Sequence, residues 1–471
     1  PILVSVTLLI ESYCIVEKAA YYIEMKIGKR AHQSDETVAQ TSGAGGAASV
    51  GARSFKRTFA SFENYNYRLY WIGQLLSRMG SWITNIAQAW LVLQLTKSSF
   101  DLGLVTALQA LPITFLALFG GVLADRFPKR RVLITTQTIM ALESMTIGIL
   151  ITTHHIHVWQ IYILASIVGF ATAFDNPTRQ AFVSEMVGPE NLPNAVALNS
   201  SLFNAARIVG PAVGGALIAA FTIDVSFYID AVSFLAVIAA LILMRPAEFH
   251  DVPTPVRGHV LMRMREGFDY ARQTPAILMP LILLAFIGTF GYNFTVVLPL
   301  IAKFILGTGA LGFGSLTTAI GIGALSGALI IAYVNQPSER LLLIAGCAFT
   351  FLLGMLAVSN RLTLTLGVLL LLGVASITYT ATTNTRIQIS APAELRGRVI
   401  SFYILLNAGT TPIGALLIGT LASVFNVRVA VAVMTSLCAL GVVVAWLYHT
   451  RHPNVVPTLE SAALSEPAQV D

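Results

Sequence analysis

GGVLADRFPKRR, residues 120–131, places one carboxylate and four cations between two long apolar segments. These segments, residues 102–124 and 132–153, each approach the roughly 20 residues that an α-helix needs to cross a bilayer. The stretch therefore predicts a short basic turn between two membrane-spanning helices.

The composition of the whole chain agrees with a membrane protein. Of its 471 residues, 55% are hydrophobic and only 11% are charged, whereas soluble domains contain about 25% charged residues. Segments of about 10 residues with alternating polarity, typical of transmembrane β-barrels, do not occur in it. We therefore expect an all-α membrane protein.

Near-continuous apolar runs recur along the chain from about residue 69 onward. We predict twelve transmembrane helices, at residues 69–95, 102–124, 132–153, 158–178, 196–221, 225–244, 275–302, 311–333, 341–358, 362–383, 399–424 and 428–448. The predicted regions are a disordered N-terminal extension (1–60), a first six-helix half (61–244), a cytoplasmic linker (245–274), a second six-helix half (275–450) and a cytoplasmic tail (451–471).

Basic residues are concentrated in alternate connections, at 125–131, 245–272 and 386–398. Cations accumulate in cytoplasmic loops, so both termini are predicted to be cytoplasmic. The net charge of +6 therefore reflects membrane topology, and we expect no nucleic-acid partner.

The second half of the chain resembles the first. NPTRQAFVSEMVGPENLPNAVALNSSLFNAARIVGP (176–211) is similar to TNTRIQISAPAELRGRVISFYILLNAGTTP (383–412), and residues 96–108 weakly match 307–319. Two parallel, pseudo-symmetric halves are typical of transporters that bind substrate between the halves near mid-membrane.

With this repeat, the chain resembles the major facilitator superfamily over about residues 58–450. Its loop signature between helices 2 and 3, of the form G-x-x-x-D-R-x-G-R-K, is matched by Gly121, Asp125, Arg126, Lys129 and Arg130. Pro128 stands where the second glycine is expected. The resemblance implies the major facilitator fold.

A second element resembles the exporter-type fifth helix of that superfamily, through Gly210, Pro211, Gly214 and Gly215. The stretches YRLYWIGQLLS (67–77), AWLVLQLT (89–96), REGFDYAR (265–272) and LRGRVISFY (395–403) are similar to the enterobactin-exporter-like branch, also called transmembrane secretion effectors. This resemblance implies an exporter.

The loop signature implies a gate between the halves, with Asp125 holding one conformation shut. The superfamily's arginine in helix 4 is replaced here by Ala165, so we select Arg179 as the candidate partner of Asp125. The alternative is a plain basic turn whose cations only fix orientation.

The first predicted span carries a polar stripe on one helical face, formed by Gln74, Arg78, Ser81, Asn85 and Gln88. An arginine near the centre of a span costs roughly 2.5–3.5 kcal/mol on insertion scales. We predict that the stripe lines a substrate cavity; hydrogen bonding between helices is the alternative. By family resemblance, Asn293, Tyr379 and Asn384 are added to the lining.

Three more ionisable residues lie inside predicted spans, namely Glu143, Arg207 and Asp230. A buried carboxylate favours its protonated form, so Glu143 and Asp230 are candidate proton carriers. The alternative for them is a buried ion pair or a position at the membrane interface. Arg207 could neutralise an anionic substrate, which makes it a cavity residue, or pair with Glu143.

No P-loop, nucleophile constellation or paired catalytic carboxylates occur, so we predict a transporter rather than an enzyme, without cofactor. HHIH at 154–157 is a weak metal motif in a short outer loop, and no metal site is predicted. We expect a monomeric bacterial plasma-membrane transporter that exchanges protons for amphipathic drugs or siderophore-like metabolites. A nutrient or lipid importer, or a non-transporting sensor or scaffold, are the alternatives.

Overall fold

A computed structural model of the chain describes residues 59–250, 260–333 and 338–451. These residues form helices and contain no β-strand, which confirms the all-α prediction. Nearly all of the predicted N-terminal extension and C-terminal tail lies outside the described residues, as does 251–259 of the predicted linker.

The described α-helices follow one another with short connections. They are α1 (Tyr65–Thr96), α2 (Ser99–Arg126), α3 (Lys129–Thr152), α4 (Val158–Ala220), α5 (Ile223–Leu243), α6 (Val260–Gln273), α7 (Pro275–Phe286), α8 (Phe294–Leu300), α9 (Gly309–Tyr333), α10 (Glu339–Val358), α11 (Leu362–Ser390), α12 (Ala393–Ala408), α13 (Thr411–Val424) and α14 (Val427–Arg451).

Helix α4 joins two predicted spans into 63 residues but is broken at Gly188. Gly188 has a φ of 70°, in the left-handed region that glycine occupies readily. Pro189 follows directly, and a proline disfavours the α conformation of the residue before it. Residues 179–195 were predicted to connect two spans. They are helical on both sides of a single break at Gly188.

Ten helical segments of the described chain are long and apolar enough to cross a membrane. Helix α1 is not among them because its polar residues lower its hydropathy, and α4 is counted once although Gly188 divides it. The number of twelve spans therefore stays a prediction.

The seventh predicted span, residues 275–302, is not one continuous α-helix. It consists of α7, a π-helical turn at Ile287–Gly291, α8 and a second π-helical turn at Ile301–Leu306. Pro299 lies inside α8 and cannot donate a backbone hydrogen bond. Residues Pro275–Leu306 are nevertheless long and apolar enough to cross a membrane, as predicted. Such π turns occur frequently at functional sites.

Glycines allow helices distant in the chain to approach closely. A Cβ atom built on Gly103 of α2 would lie 3.0 Å from the Cα of Gly419 in α13. One built on Gly215 of α4 would lie 3.1 Å from the Cα of Gly314 in α9. Without a hydrophobic drive in lipid, close backbone contact of this kind holds membrane helices together.

The glycines of the fifth-span motif have separate neighbours. Gly214 lies against the backbone of α1, and a Cβ atom built on it would lie 3.1 Å from the Cα of Ile83. Gly215, in contrast, faces α9. Gly210 lies against Trp82 of α1. The motif thus lets one helix pack closely on two sides.

We expect Gly215→Ala to lower the free energy of unfolding by about 1–3 kcal/mol, because the added methyl group overfills a tight contact. The new Cβ would lie 2.8 Å from the Ala310 carbonyl oxygen. Gly367→Ala in α11 is the matched control, since a Cβ there meets nothing within 4 Å. Thermal unfolding in detergent measures both, and equal melting temperatures would contradict the packing role of Gly215.

Candidate functional site

A cavity of about 300 Å³ opens between helices of the first and second parts of the chain. Its lining comes from α1, α2, the second arm of α4, the connection before α8, α8 itself, α9 and α11. Of the residues predicted to line a substrate cavity, Asn85, Gln88 and Arg207 lie in this lining.

Polar side chains in the lining are interspersed with aromatic rings. The aromatic residues are Trp82, Phe203, Tyr292, Phe294 and Phe313. Trp82 and Phe203 contact edge to face, with ring centroids 6.3 Å apart. A site of this kind, apolar with a few polar groups, is typical of small-molecule binding.

Tyr292 organises one wall of the cavity. Its hydroxyl donates to the Ser376 carbonyl oxygen at 2.8 Å and lies 2.7 Å from the Thr380 hydroxyl. Its ring stacks on Phe349, with centroids 5.2 Å apart. Sequence reasoning missed Tyr292, although it directly precedes the predicted cavity residue Asn293.

Three predicted cavity residues of the second half are not in the lining described above. Asn293 is buried and donates to the Thr289 carbonyl oxygen at 2.8 Å. Tyr379 is fully buried. Asn384 accepts a hydrogen bond from Gln388 at 3.0 Å. Their assignment to substrate stays a prediction.

The polar stripe of α1 passes several environments. Gln74 is buried, Arg78 lies near Arg179 and Asp175, and Ser81 lies near Asp230. Only the last two stripe residues, Asn85 and Gln88, reach the described cavity. One helical face therefore contacts two charged clusters and one cavity.

Two carboxyl groups are brought together deep in the helix bundle. Glu143 of α3 is 7% exposed and Asp230 of α5 is 3% exposed. The Ser144 hydroxyl lies 3.2 Å from Glu143 Oε2 and 3.1 Å from Asp230 Oδ2. Sequence reasoning selected both residues but did not predict that they meet, because they are far apart in the chain.

The geometry of this pair favours a shared proton. A serine hydroxyl has one hydrogen and can donate it to only one of the two carboxylates. Both contacts with Ser144 are hydrogen bonds when one carboxyl group is protonated and donates to the hydroxyl oxygen. Two neighbouring carboxylates also resist being ionised together in a low-dielectric site.

A second buried cluster surrounds Asp175, which sequence reasoning missed. Asp175 Oδ1 accepts from Thr136 Oγ1 and from Gln137 Nε2, each at 2.8 Å. Its Oδ2 accepts from Arg179 Nε at 2.9 Å. The signal in the sequence was the i, i+4 spacing of Asp175 and Arg179, which places opposite charges on one helical face.

Arg179 therefore has Asp175 as its partner in this structure. Gly121, Asp125 and Arg126 belong to the last turns of α2, where the structure does not describe side chains. The predicted contact between Asp125 and Arg179 thus stays untested. In this structure, Nε and Nη2 of Arg179 both donate to Asp175 Oδ2.

The two other gating-loop cations contact the first part of the chain. Lys129, at the start of α3, forms an ion pair with Glu185 of α4 at 2.5 Å. Arg130 donates to the carbonyl oxygens of Leu241 and Ile242 at 2.6 and 2.9 Å. A cation at these carbonyls is favourable because the C-terminus of a helix carries partial negative charge.

The second half contains a related pair with exchanged charges. Glu339, at the start of α10, forms an ion pair with Arg386 of α11, the repeat counterpart of Arg179. His449 Nδ1 lies 3.1 Å from the same glutamate. The start of α3 and the start of α10 are thus each joined by an ion pair to the following helix.

Lys303, in the π-helical turn Ile301–Leu306, contacts the end of α1, and sequence reasoning missed it. It donates a hydrogen bond from its ammonium group to the Leu93 carbonyl oxygen near the end of α1. It also lies 5.9 Å from the centroid of the Trp90 ring. Residues of α1 and α8 share one apolar cluster around this contact.

The amino-acid sequence of the chain matches a known protein family. The family model described as transmembrane secretion effector matches residues 56–470. The chain is 24% identical over 362 residues to the staphyloferrin A transporter of Staphylococcus aureus, covering 76% of this chain and 90% of the relative. It is 26% identical over 391 residues to the multidrug efflux pump Tap of Mycolicibacterium fortuitum, covering 80% and 94%.

The enterobactin exporter EntS of Shigella flexneri is 24% identical over 365 residues, covering 76% of this chain and 86% of that protein. Among solved structures, a POT family transporter in complex with 5-aminolevulinic acid has a TM-score of 0.67 at 9% identity, covering 83% and 97%. An inward-facing bacterial homologue of the lysosomal transporter Spinster has a TM-score of 0.63 at 14% identity, covering 82% and 95%. These structures share the fold.

The relatives and the family are membrane transporters and not enzymes, as the sequence predicted. The chain spans most of the length of the relatives given above. Since the family model matches almost the whole chain, this protein belongs to the transmembrane secretion effectors of the major facilitator superfamily.

Proposed function

We propose that this protein is a proton-coupled exporter of amphipathic small molecules that works by alternating access. The observation that carries the proposal is the buried pair of Glu143 and Asp230, joined through Ser144. The curated relatives, described as siderophore and drug transporters, support the export of amphipathic metabolites or drugs.

The pair is suited to carry one proton through a conformational cycle. Because it is buried, the charge state with both groups ionised is strongly disfavoured. Helix α1 also reaches the pair, since a Cβ on Gly80 would lie 2.8 Å from Asp230 Oδ1. A shift of α1 during transport would therefore change the surroundings of Asp230 and release or bind the proton.

Two six-helix halves, residues 61–244 and 275–450, rock about the cavity in this proposal. The glycine contacts between α2 and α13, and between α4 and α9, are the hinges along which the halves meet. The Lys303 contact closes the end of the bundle that faces outside, and the segment from Gly121 to Arg130, where α2 ends and α3 begins, forms the gate at the cytoplasmic end. The protein acts as a monomer in the bacterial plasma membrane, with both termini cytoplasmic.

We expect Glu143→Gln to reduce proton-driven uptake at least about tenfold, because an amide cannot release a proton. The measurement uses everted membrane vesicles with an acidic lumen, with ethidium and 1-anilinonaphthalene-8-sulfonate as permanently charged probes. Asp224→Asn is the matched control: it changes a carboxylate of the same helix as Asp230 that hydrogen-bonds Thr152 outside the pair.

Exchange of the probe without a pH gradient should survive in Glu143→Gln, which shows that the variant is folded. Gradient-driven uptake equal to the parent protein would refute coupling through this pair. Uptake into right-side-out vesicles alone would support the importer instead, and no uptake of either probe in any orientation would support a sensor or scaffold.

We expect Lys303→Met to open the outer end of the bundle, because the charged hydrogen bond to Leu93 is lost. A maleimide that cannot cross the membrane then labels Asn85→Cys in the cavity about tenfold faster from outside. The three native cysteines, Cys14, Cys347 and Cys438, are replaced by alanine in this experiment.

Lys97→Met is the control, since Lys97 is an exposed cation near the same end of α1. Rapid labelling of Asn85→Cys from outside while Lys303 is intact would show that the cavity is already open to the outside in the parent protein. Equal rates in both variants would show that Lys303 is not part of the closure.

A further inference from the structure

The charge and hydrogen-bond donors of the cavity indicate which amphipathic molecules it accepts. We propose that the cavity selects anions: an aromatic or other flat apolar body with one carboxylate, sulfonate or similar group that binds Arg207 and Gln88. This inference rests on the proposed transport function and assigns the chemical class of its substrate.

Arg207 is the one charged side chain among the described residues of the lining. It lies in the second arm of α4, half-buried, and has no ion pair or side-chain hydrogen bond within the described part of the chain. A guanidinium group in a membrane protein is costly unless it meets an anion or water. Its five donors match the oxygen atoms of a carboxylate or sulfonate.

Gln88 supplies a second donor without an acceptor. Its side chain is 8% exposed, and its amide nitrogen has no hydrogen-bond partner among the described residues. A buried donor left without a partner is unfavourable, so it favours a ligand that brings an acceptor. Arg207 and Gln88 therefore each present hydrogen-bond donors to the cavity that have no acceptor among the described residues.

Several hydroxyl groups of the lining are already engaged within the protein. The Tyr292 hydroxyl donates to the Ser376 carbonyl oxygen, and the Thr106 hydroxyl donates to the Leu102 carbonyl oxygen. Among the described residues of the lining, Arg207 carries the only charge and Gln88 has the buried amide nitrogen without a partner, so we assign the anionic end of a ligand to these two groups.

The rest of the lining suits an apolar body of limited size. Trp82 and Phe203 form one aromatic wall, and Tyr292 and Phe294 form another, with ring centroids 5.9 Å apart. A volume of about 300 Å³ is at the lower end of the range for ligand cavities. The cavity in this conformation thus accommodates one aromatic unit with its anionic group.

Cations should be rejected because the described lining contains no carboxylate to receive them. The buried carboxyl groups of Glu143 and Asp230 contact Ser144 and do not contribute to the lining. A cationic amphiphile would therefore place its charge beside Arg207 without compensation, which costs affinity.

The test compares two permanently charged probes with the same body, 1-naphthalenesulfonate and N,N,N-trimethyl-1-naphthylammonium. Equilibrium dialysis against the full chain in detergent, with no pH gradient, measures their dissociation constants. We expect the sulfonate to bind at least about tenfold more tightly, because the ammonium probe cannot accept a charge-assisted hydrogen bond from Arg207.

Arg207→Gln should abolish this preference, whereas Arg207→Lys should retain part of it. Gln88→Leu should weaken sulfonate binding severalfold and leave the ammonium probe unchanged. Arg361→Gln is the matched control, because Arg361 is an exposed arginine at the start of α11 outside the cavity. Retained melting temperature verifies that each variant is folded.

Tighter binding of the ammonium probe, or unchanged sulfonate affinity in Arg207→Gln, would overturn the assignment. Because dialysis involves no gradient, these outcomes are independent of proton coupling. Selective binding together with failed gradient-driven uptake would support the anion site and refute the proposed proton-coupled function.

Discussion

The low dielectric of the membrane interior is the constraint on which this structure depends. Ionised groups there must be paired or neutralised, and the described spans satisfy this requirement in distinct ways. Asp175 pairs with Arg179 and accepts from two further side chains, while Glu143 and Asp230 share a hydroxyl and favour a proton between them. Arg207, in contrast, lines a cavity without a described partner. The first arrangement pairs opposite charges, and we propose that a proton and a ligand complete the other two.

Packing obeys the complementary constraint that lipid supplies no hydrophobic drive between helices. Close backbone contact has to replace it, and glycines make that contact where distant helices cross. Gly103 of α2 meets Gly419 of α13, and Gly215 of α4 meets Gly314 of α9. Gly103 and Gly314 are counterparts in the weak sequence match of 96–108 with 307–319. The sequence repeat thus places a glycine of the same register position at each of the two crossings.

Much of the helix content followed from the sequence because apolar runs of about 20 residues have few alternatives in a bilayer. The predicted spans at 102–124, 132–153 and 225–244 agree with α2, α3 and α5 to within a few residues. Local backbone chemistry caused the differences: Gly188 with Pro189 breaks α4, and Pro299 accompanies the π-helical turns of the seventh span. A hydropathy pattern does not detect such turns, because they leave the side-chain composition of the span unchanged.

By itself the sequence determined the helical membrane class, the family and most ionisable positions worth testing, since these depend on composition, spacing and motif. Only the tertiary structure decided which of those positions meet. It joined Glu143 to Asp230, gave Arg179 the partner Asp175 and brought Arg207 and Gln88 into one cavity. The physical reason is that a helical pattern specifies the face on which a side chain lies, whereas its neighbour is chosen by helix crossings between segments far apart in the chain.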